Sequence, residues 1–209
     1  MPNDADTIVR AQNVRAKHAA SLVVWRVENG ETHMLMGMRG AKHRFMPNRL
    51  VFPGGRVDPA DMKAPCATAI SPHTEAMLRK KANPALARGL AAAAARELQE
   101  ETGLSLGNPP RLDVLHYLAR AVTPPGAPIR FNARFFAVAA EHVSGTKGGD
   151  GELEGLRFYA MPEALSHDLA SPTRKVLERL ELWLAMTEAE RNAETRTPVM
   201  VRDEGWRME

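Results

Sequence analysis

Glu97, Glu100 and Glu101 fall within one six-residue run, Arg96-Glu97-Leu98-Gln99-Glu100-Glu101. On a helix each residue turns by about 100°, so the three carboxylates share roughly a third of the circumference. Neighbouring like charges on a helix face repel by about a few tenths of a kcal/mol per pair. Arg96 and solvent offset that repulsion weakly; a divalent cation offsets it better. Carboxylate oxygens suit a hard cation such as Mg²⁺ (or Mn²⁺), which keeps several waters and takes substrate phosphates. The chemistry within reach is metal-assisted hydrolysis, with a glutamate not fully occupied by metal taking the proton of the attacking water. Such a run in isolation also reads as a solvated acidic face. Its flanks favour the site: Pro53-Gly54-Gly55 follows an apolar run upstream, and Gly103-Leu104 closes the segment downstream.

Several elements must position this run. Residues 1–17 read as an arm or short helix, and residues 19–27, β-branched and aromatic, as a strand. Asn29-Gly30 is a tight-hairpin signal, and residues 33–39 form the return strand. Residues 41–49 are a basic loop and residues 50–52 a short strand. Asn83-Pro84 opens the carboxylate helix, Asn as cap and Pro at the first helical position, and Gly103 ends it. Residues 111–122 and 129–140 read as strands around the Pro124-Pro125-Gly126 turn. A Gly-rich, mobile connection over 144–151 leads to a last strand at 153–159. A short helix follows at 162–168, then a long amphipathic helix from Ser171-Pro172 through Val176, Leu177, Leu180 and Leu184. Core packing is that helix's first role, a homodimer contact its second. The tail beyond Arg191 reads as polar, ending in a few apolar residues. This order favours a mixed α/β sandwich and one domain over residues 1–209, with 171–209 as C-terminal helix and tail.

The run Arg96-Glu97-Leu98-Gln99-Glu100-Glu101-Thr102-Gly103-Leu104 resembles the second half of the Nudix box, R-E-U-x-E-E-x-G-U with U apolar, and all seven specified positions match. The first half, G-x5-E, is altered. Gly55 followed by five residues reaches Asp61 in place of Glu, and 34 residues separate Asp61 from Arg96 where the pattern has seven. The resemblance implies a Nudix-like α/β/α sandwich with a mixed β-sheet, hydrolysis of a pyrophosphate bond, and Mg²⁺ or Mn²⁺ as cofactor. It carries over Glu97, Glu100 and Glu101 as metal ligands, with the Gly55 carbonyl as a further one. Either Glu100 or Glu101 is implied as base, and Asp61–Arg96 is the analogue of the family's bracing pair. Glu152 and Glu154 are candidates for a carboxylate from outside the box. Residues 62–85 read as an insertion, a surface excursion over the site with one small helix in its polar stretch.

Arg39, Lys42, His43, Arg44 and Arg49 crowd into the loop before Phe52-Pro53-Gly54-Gly55. Arginine grips phosphate with a bidentate fork. The stretch is similar to the signature of the coenzyme A diphosphatase subgroup, L-L-T-x-R-[SA]-x3-R-x3-G-x3-F-P-G-G. Arg39, Arg44 and Phe52-Pro53-Gly54-Gly55 stand in register; Met36, Gly37, Gly40 and Asn48 depart from it. The resemblance implies coenzyme A or an acyl derivative as substrate, with Arg39 and Arg44 as its phosphate clamp. ADP-ribose, dinucleotides, nucleoside triphosphates, or a module that senses a nucleotide without cutting it, are the alternatives.

Bulk properties agree with a soluble enzyme. The 209 residues are 44% hydrophobic and 25% charged, with 28 basic against 25 acidic side chains, net +3. That excess is too small to argue for a nucleic-acid partner and does not oppose a small nucleotide-type anion. Cys66 is the single cysteine, which excludes an intrachain disulfide or a Cys-rich metal site. The sequence shows no apolar run near a membrane-span length and no signal-peptide pattern at its start, so a cytoplasmic protein without membrane partners is expected.

Overall fold

The computed structural model describes residues 14–40, 47–200 and 206–209. The first two strands, β1 (Lys17–Glu28) and β2 (Glu31–Arg39), form the expected hairpin. Asn29 and Gly30 both take positive φ, 52° and 81°, between the paired Glu28 and Glu31, as the turn that matches strand twist requires. β3 (Leu50–Val51) pairs with β2, and the Gly-Gly segment is itself a short strand, β4 (Gly54–Arg56), antiparallel to β1 at Ala19–Ser21.

Two helices follow, α1 (Pro72–Arg79) and α2 (Pro84–Thr102). The Asn83 side chain accepts from the Leu86 N–H at 2.8 Å, and Gly103 takes φ 71° at the C-terminus. Ala91 to Ala95 are all buried, which lets α2 lie close against β1. After β5 (Leu104–Ser105) come β6 (His116–Val122) and β7 (Phe131–Ala139). The strand expected from residue 111 starts only at His116. Leu112 and Leu115 are buried in turns before it, where the Thr74 hydroxyl donates to the Leu115 carbonyl at 2.9 Å. β8 (Ser144–Gly145) pairs with β5, β9 (Leu153–Ala160) pairs with β2, and α3 (Met161–Ser166), α4 (Ser171–Ala185) and α5 (Glu188–Ala193) follow.

The tail is more than polar coil. Residues after Arg191 form β10 (Pro198–Met200), parallel to β6, and β11 (Trp206–Met208), antiparallel to β10. Among the described residues the large sheet runs β11-β10-β6-β7-β1-β2-β3, with β4 against β1 and β9 against β2. The β1–β7 and β10–β6 pairs are parallel and the rest antiparallel, so the sheet is mixed. Alternation along β1 sends Ala20, Leu22 and Val24 into a cluster with α1 and α2, and Val23 into a second with α4. Helices cover both faces, giving the expected α/β/α sandwich. Val176, Leu177, Leu180 and Trp183 bury the inner face of α4, its core-packing role.

Residues 62–85 do not lie over the site. Ile70, Met77 and Leu78 are buried in the α2-side cluster, and Arg88 on α2 donates to the Met62 carbonyl at 2.9 Å. Their apolar side chains have a core face to join, so the segment folds into the body. The arm over residues 1–13, and Lys42, His43 and Arg44 of the basic loop, lie outside the described residues.

Candidate active site

A cavity of about 800 Å³ opens on the α4 side of the sheet. One end is charged: Arg39, Arg56, Glu97, Glu101 and Glu152 line it around the backbone of Gly54 and Gly55. The other end is apolar. At the charged end α2 packs against β4 and brings Glu97 and Glu101 to the Gly54-Gly55 backbone. Gly55 passes so close to Glu97 that a Cβ there would stand 2.3 Å from its Oε1. Any side chain would evict the carboxylate, which is the local reason for glycine.

Arg96 organises the helix face. Its Nε and Nη2 donate to the two carboxylate oxygens of Asp61 at 2.9 and 3.1 Å. Its Nη1 donates to Glu97 at 2.9 Å and to Glu100 at 2.8 Å, and Nη2 also donates to the Arg56 carbonyl at 3.0 Å. Asp61, with 3% exposure, completes its own set by accepting from the Asp58 N–H at 2.7 Å. The shorter acid therefore reaches its arginine, and Asp61, Arg96, Glu97 and Glu100 form one network.

Glu101 is the most enclosed glutamate, at 2% exposure. Its Oε2 accepts from the Gly54 N–H at 2.8 Å, and Arg39 stands 3.9 Å from its Oε1. Burial pushes its carboxyl up to about 8 despite the Gly54 hydrogen bond, and the charges of Glu152 and Glu97 push the same way. Burial also raises Glu97, against the opposing pull of Arg96. The Asp61 hydrogen bond holds the Arg96 guanidinium above its ordinary value. Glu100 is half exposed and does not line the cavity.

Glu152 arrives by way of the Gly-rich connection, which is a cap on α2 rather than a free loop. The Gly148 N–H donates to the Thr102 carbonyl at 2.8 Å and the Asp150 N–H to the Glu100 carbonyl at 2.9 Å. Carbonyls at a helix C-terminus otherwise lack partners. Gly149 lies where a Cβ would sit 2.2 Å from the Glu101 carbonyl oxygen. The chain thus leaves the helix end with Glu152 on the cavity wall, 2.6 Å from Arg39. Glu154, on β9 opposite Met38, is exposed and apart from the cavity.

Two of the four positions departing from the second signature, Gly37 and Asn48, have local reasons. Gly37 sits where β2 and β9 slip register, and a Cβ there would be 2.8 Å from the Leu153 Cβ. Asn48 takes φ 54°, a conformation that favours Gly and tolerates Asn. Arg39, expected as a phosphate clamp, lines the cavity with its guanidinium donating to Glu152 at 2.6 Å, and Arg44 lies outside the described residues. Arg56 was not singled out by sequence reasoning; its place directly after Gly54-Gly55 was the available signal.

The donor set fits a divalent cation: three carboxylates line one end of a cavity, and two are held above their ordinary proton affinity by burial. Among the described residues no three acidic or imidazole groups converge at ligating distance. Arg96 and Arg39 hold the carboxylates at this end.

Comparison with known proteins sharpens the class. Residues 87–180 match the NUDIX domain model. A NUDIX hydrolase from Alicyclobacillus acidocaldarius superposes with a TM-score of 0.63 at 25% identity, covering 79% of this chain and 90% of that one. A MutT protein from Methanosarcina mazei shares the fold at 17% identity, TM-score 0.54, over 82% and 96%. The NUDIX domain of Shewanella oneidensis NrtR, complexed with ADP ribose, does so at 13%, TM-score 0.54, over 82% and 90%. No curated protein sequence matches significantly. The NUDIX match over residues 87–180, with the likeness to a NUDIX hydrolase along most of the chain, supports a Nudix pyrophosphohydrolase.

Proposed function

We propose that the protein is a divalent-metal-dependent hydrolase that cuts the pyrophosphate of coenzyme A or an acyl derivative with water, releasing adenosine 3′,5′-bisphosphate and 4′-phosphopantetheine or its acyl form. The observation that carries the reading is the cavity's charged end, where Glu97, Glu101, Glu152, Arg39 and Arg56 meet around the β4 backbone. The register of Arg39, Arg44 and Phe52-Pro53-Gly54-Gly55 supports the substrate.

Glu97, Glu100, Glu101 and the Gly55 carbonyl would hold Mg²⁺ or Mn²⁺, with Glu152 as the carboxylate from outside the box. Bound there, the cation would neutralise phosphate charge and polarise water. This chain's own residues do the rest. Arg39 and Arg56 orient the pyrophosphate oxygens. Glu101, on the cavity wall and fixed by the Gly54 N–H, takes the proton of the attacking water. Arg96 and Asp61 position the glutamate face and touch no reacting atom.

The test is a substrate panel with Mg²⁺ and Mn²⁺: coenzyme A, its 3′-dephospho form, ADP-ribose and NADH. Coenzyme A is expected to give the highest kcat/KM, about tenfold above the dephospho form, one ionic contact's worth. Equal use of those two removes the role given to the 3′-phosphate. Turnover confined to ADP-ribose or NADH overturns the substrate.

A further inference from the structure

The apolar end of the cavity has no role in the chemistry above. Val122, Pro124, Phe131, Ala133, Phe135 and Met200 line it, and it is continuous with the charged end. The cations among the described lining residues are Arg39 and Arg56, both at the charged end. Part of the wall comes from outside the matched domain, since Met200 belongs to β10. That strand is held firmly. Met200 pairs with Ala121 of β6 and with Trp206 of β11. The Thr197 N–H and carbonyl pair with those of Glu209, whose side chain accepts from Arg120 at 2.7 Å. Met200 is 7% exposed, packed in the α4-side cluster.

From this division we infer that the apolar end is the subsite for the uncharged, non-nucleotide arm of the substrate, and that β10 through Met200 is a specificity element. The inference rests on the coenzyme A reading. Such a substrate has two arms on its pyrophosphate. One carries adenosine and a 3′-phosphate; burying that phosphate among apolar side chains where no described lining residue supplies a cation is prohibitive. The other arm is uncharged: its methylene and acyl carbons gain by leaving water, and Thr123, Ser171 and Thr173 in the lining offer polar groups to its amides. With the pyrophosphate fixed at the charged end, only the second arm fits inward, and the nucleotide stays toward the mouth.

The experiment compares coenzyme A with its acetyl and octanoyl thioesters, using the wild type, Met200→Gln and Val122→Phe. Adenosine 3′,5′-bisphosphate serves as an inhibitor that probes the nucleotide half alone. For the wild type, KM is expected to fall as the arm lengthens. Each variant is expected to raise KM for the octanoyl form about tenfold, consistent with loss of apolar contact, and to leave inhibition by the bisphosphate within twofold. Loss of bisphosphate inhibition with arm-length dependence retained seats adenine in the apolar end and overturns the inference. Unchanged constants overturn it too, while leaving the coenzyme A reading intact. Absence of turnover on every coenzyme A derivative overturns both. If the variants unfold, the wild-type series decides: a KM that does not change with arm length sinks the proposal.

Discussion

Two clusters of charge lie against the same sheet and are solved in opposite ways. At the β4 edge, Asp61, Glu97, Glu100, Glu101 and Glu152 pair with two guanidiniums, those of Arg96 and Arg39, with Arg56 beside them on the cavity wall, so carboxylates outnumber guanidiniums. Within β7, Arg134 is 1% exposed, and burial pulls it down to about 10. It donates to the carbonyls of Asn132 at 2.9 Å and Lys81 at 3.0 Å and lies 3.0 Å from His18 Nδ1. Its neighbour Arg120 is bound to Asn132 and Glu209. The basic cluster is thus satisfied by fixed groups of the chain and lines no part of the large cavity. The acidic cluster keeps a surplus of negative charge and faces that cavity. Buried charge met by backbone carbonyls is architecture; buried charge in surplus at a cavity wall calls for a ligand.

Substitution in each cluster should therefore break different things. The largest effect is expected at Glu101. Glu101→Gln is nearly isosteric and should cut metal-dependent kcat about a thousandfold with the unfolding midpoint little changed. Glu100→Gln, half exposed and off the cavity wall, should cost clearly less. Equal losses would move the base assignment off Glu101, and full activity in both would remove α2 from the chemistry. Next in size is Arg134→Ala, which leaves the Asn132 and Lys81 carbonyls without a donor and opens a void. It is expected to lower stability by about 3 kcal/mol, read by urea unfolding, with kcat of the folded protein retained. A loss of kcat without loss of stability would erase the distinction between the clusters.

The two clusters also differ in how far the sequence reveals them. The ends of α2 were legible because their signals are local: Asn83 caps, Pro84 starts, Gly103 stops. The β1–β2 hairpin was legible for the same reason at Asn29-Gly30. Asp61–Arg96 could be paired only through a family pattern, because the chain between them folds into the core rather than over the site. Glu152 and Glu154 were indistinguishable in the sequence. What separates them is the Gly-rich connection, which clamps the α2 carbonyls and leaves Glu152 on the wall just before β9 begins. β10 and β11 were missed because three-residue strands carry no readable alternation and their pairing with β6 is wholly non-local. Arg134 sits mid-strand among apolar residues, and nothing local announces that two carbonyls and a histidine await it.

The smallest effect is also the sharpest comparison, because the clusters should respond to pH with opposite sign. In metal-free protein, Glu97 is raised above its ordinary 4.5 and Glu101 lies at about 8, so the folded state keeps protons that the unfolded chain has released. Stability from these groups is full below 4.5 and is lost as pH rises toward 8. His18 is the reverse: burial, then the charges of Arg134, Arg15 and Arg120, lower it from 6.5. Its contribution is present above 6.5 and is lost as pH falls through the depressed value. Melting curves in chelator should therefore show Tm declining on both sides of a maximum. Glu101→Gln should flatten the alkaline limb and His18→Gln the acid one. Excess Mg²⁺ should restore the alkaline limb only, since a bound cation stabilises the ionised carboxylates and has no counterpart beside Arg134. If Mg²⁺ lifts both limbs equally, or neither, the surplus charge at the β4 edge is not what binds the metal.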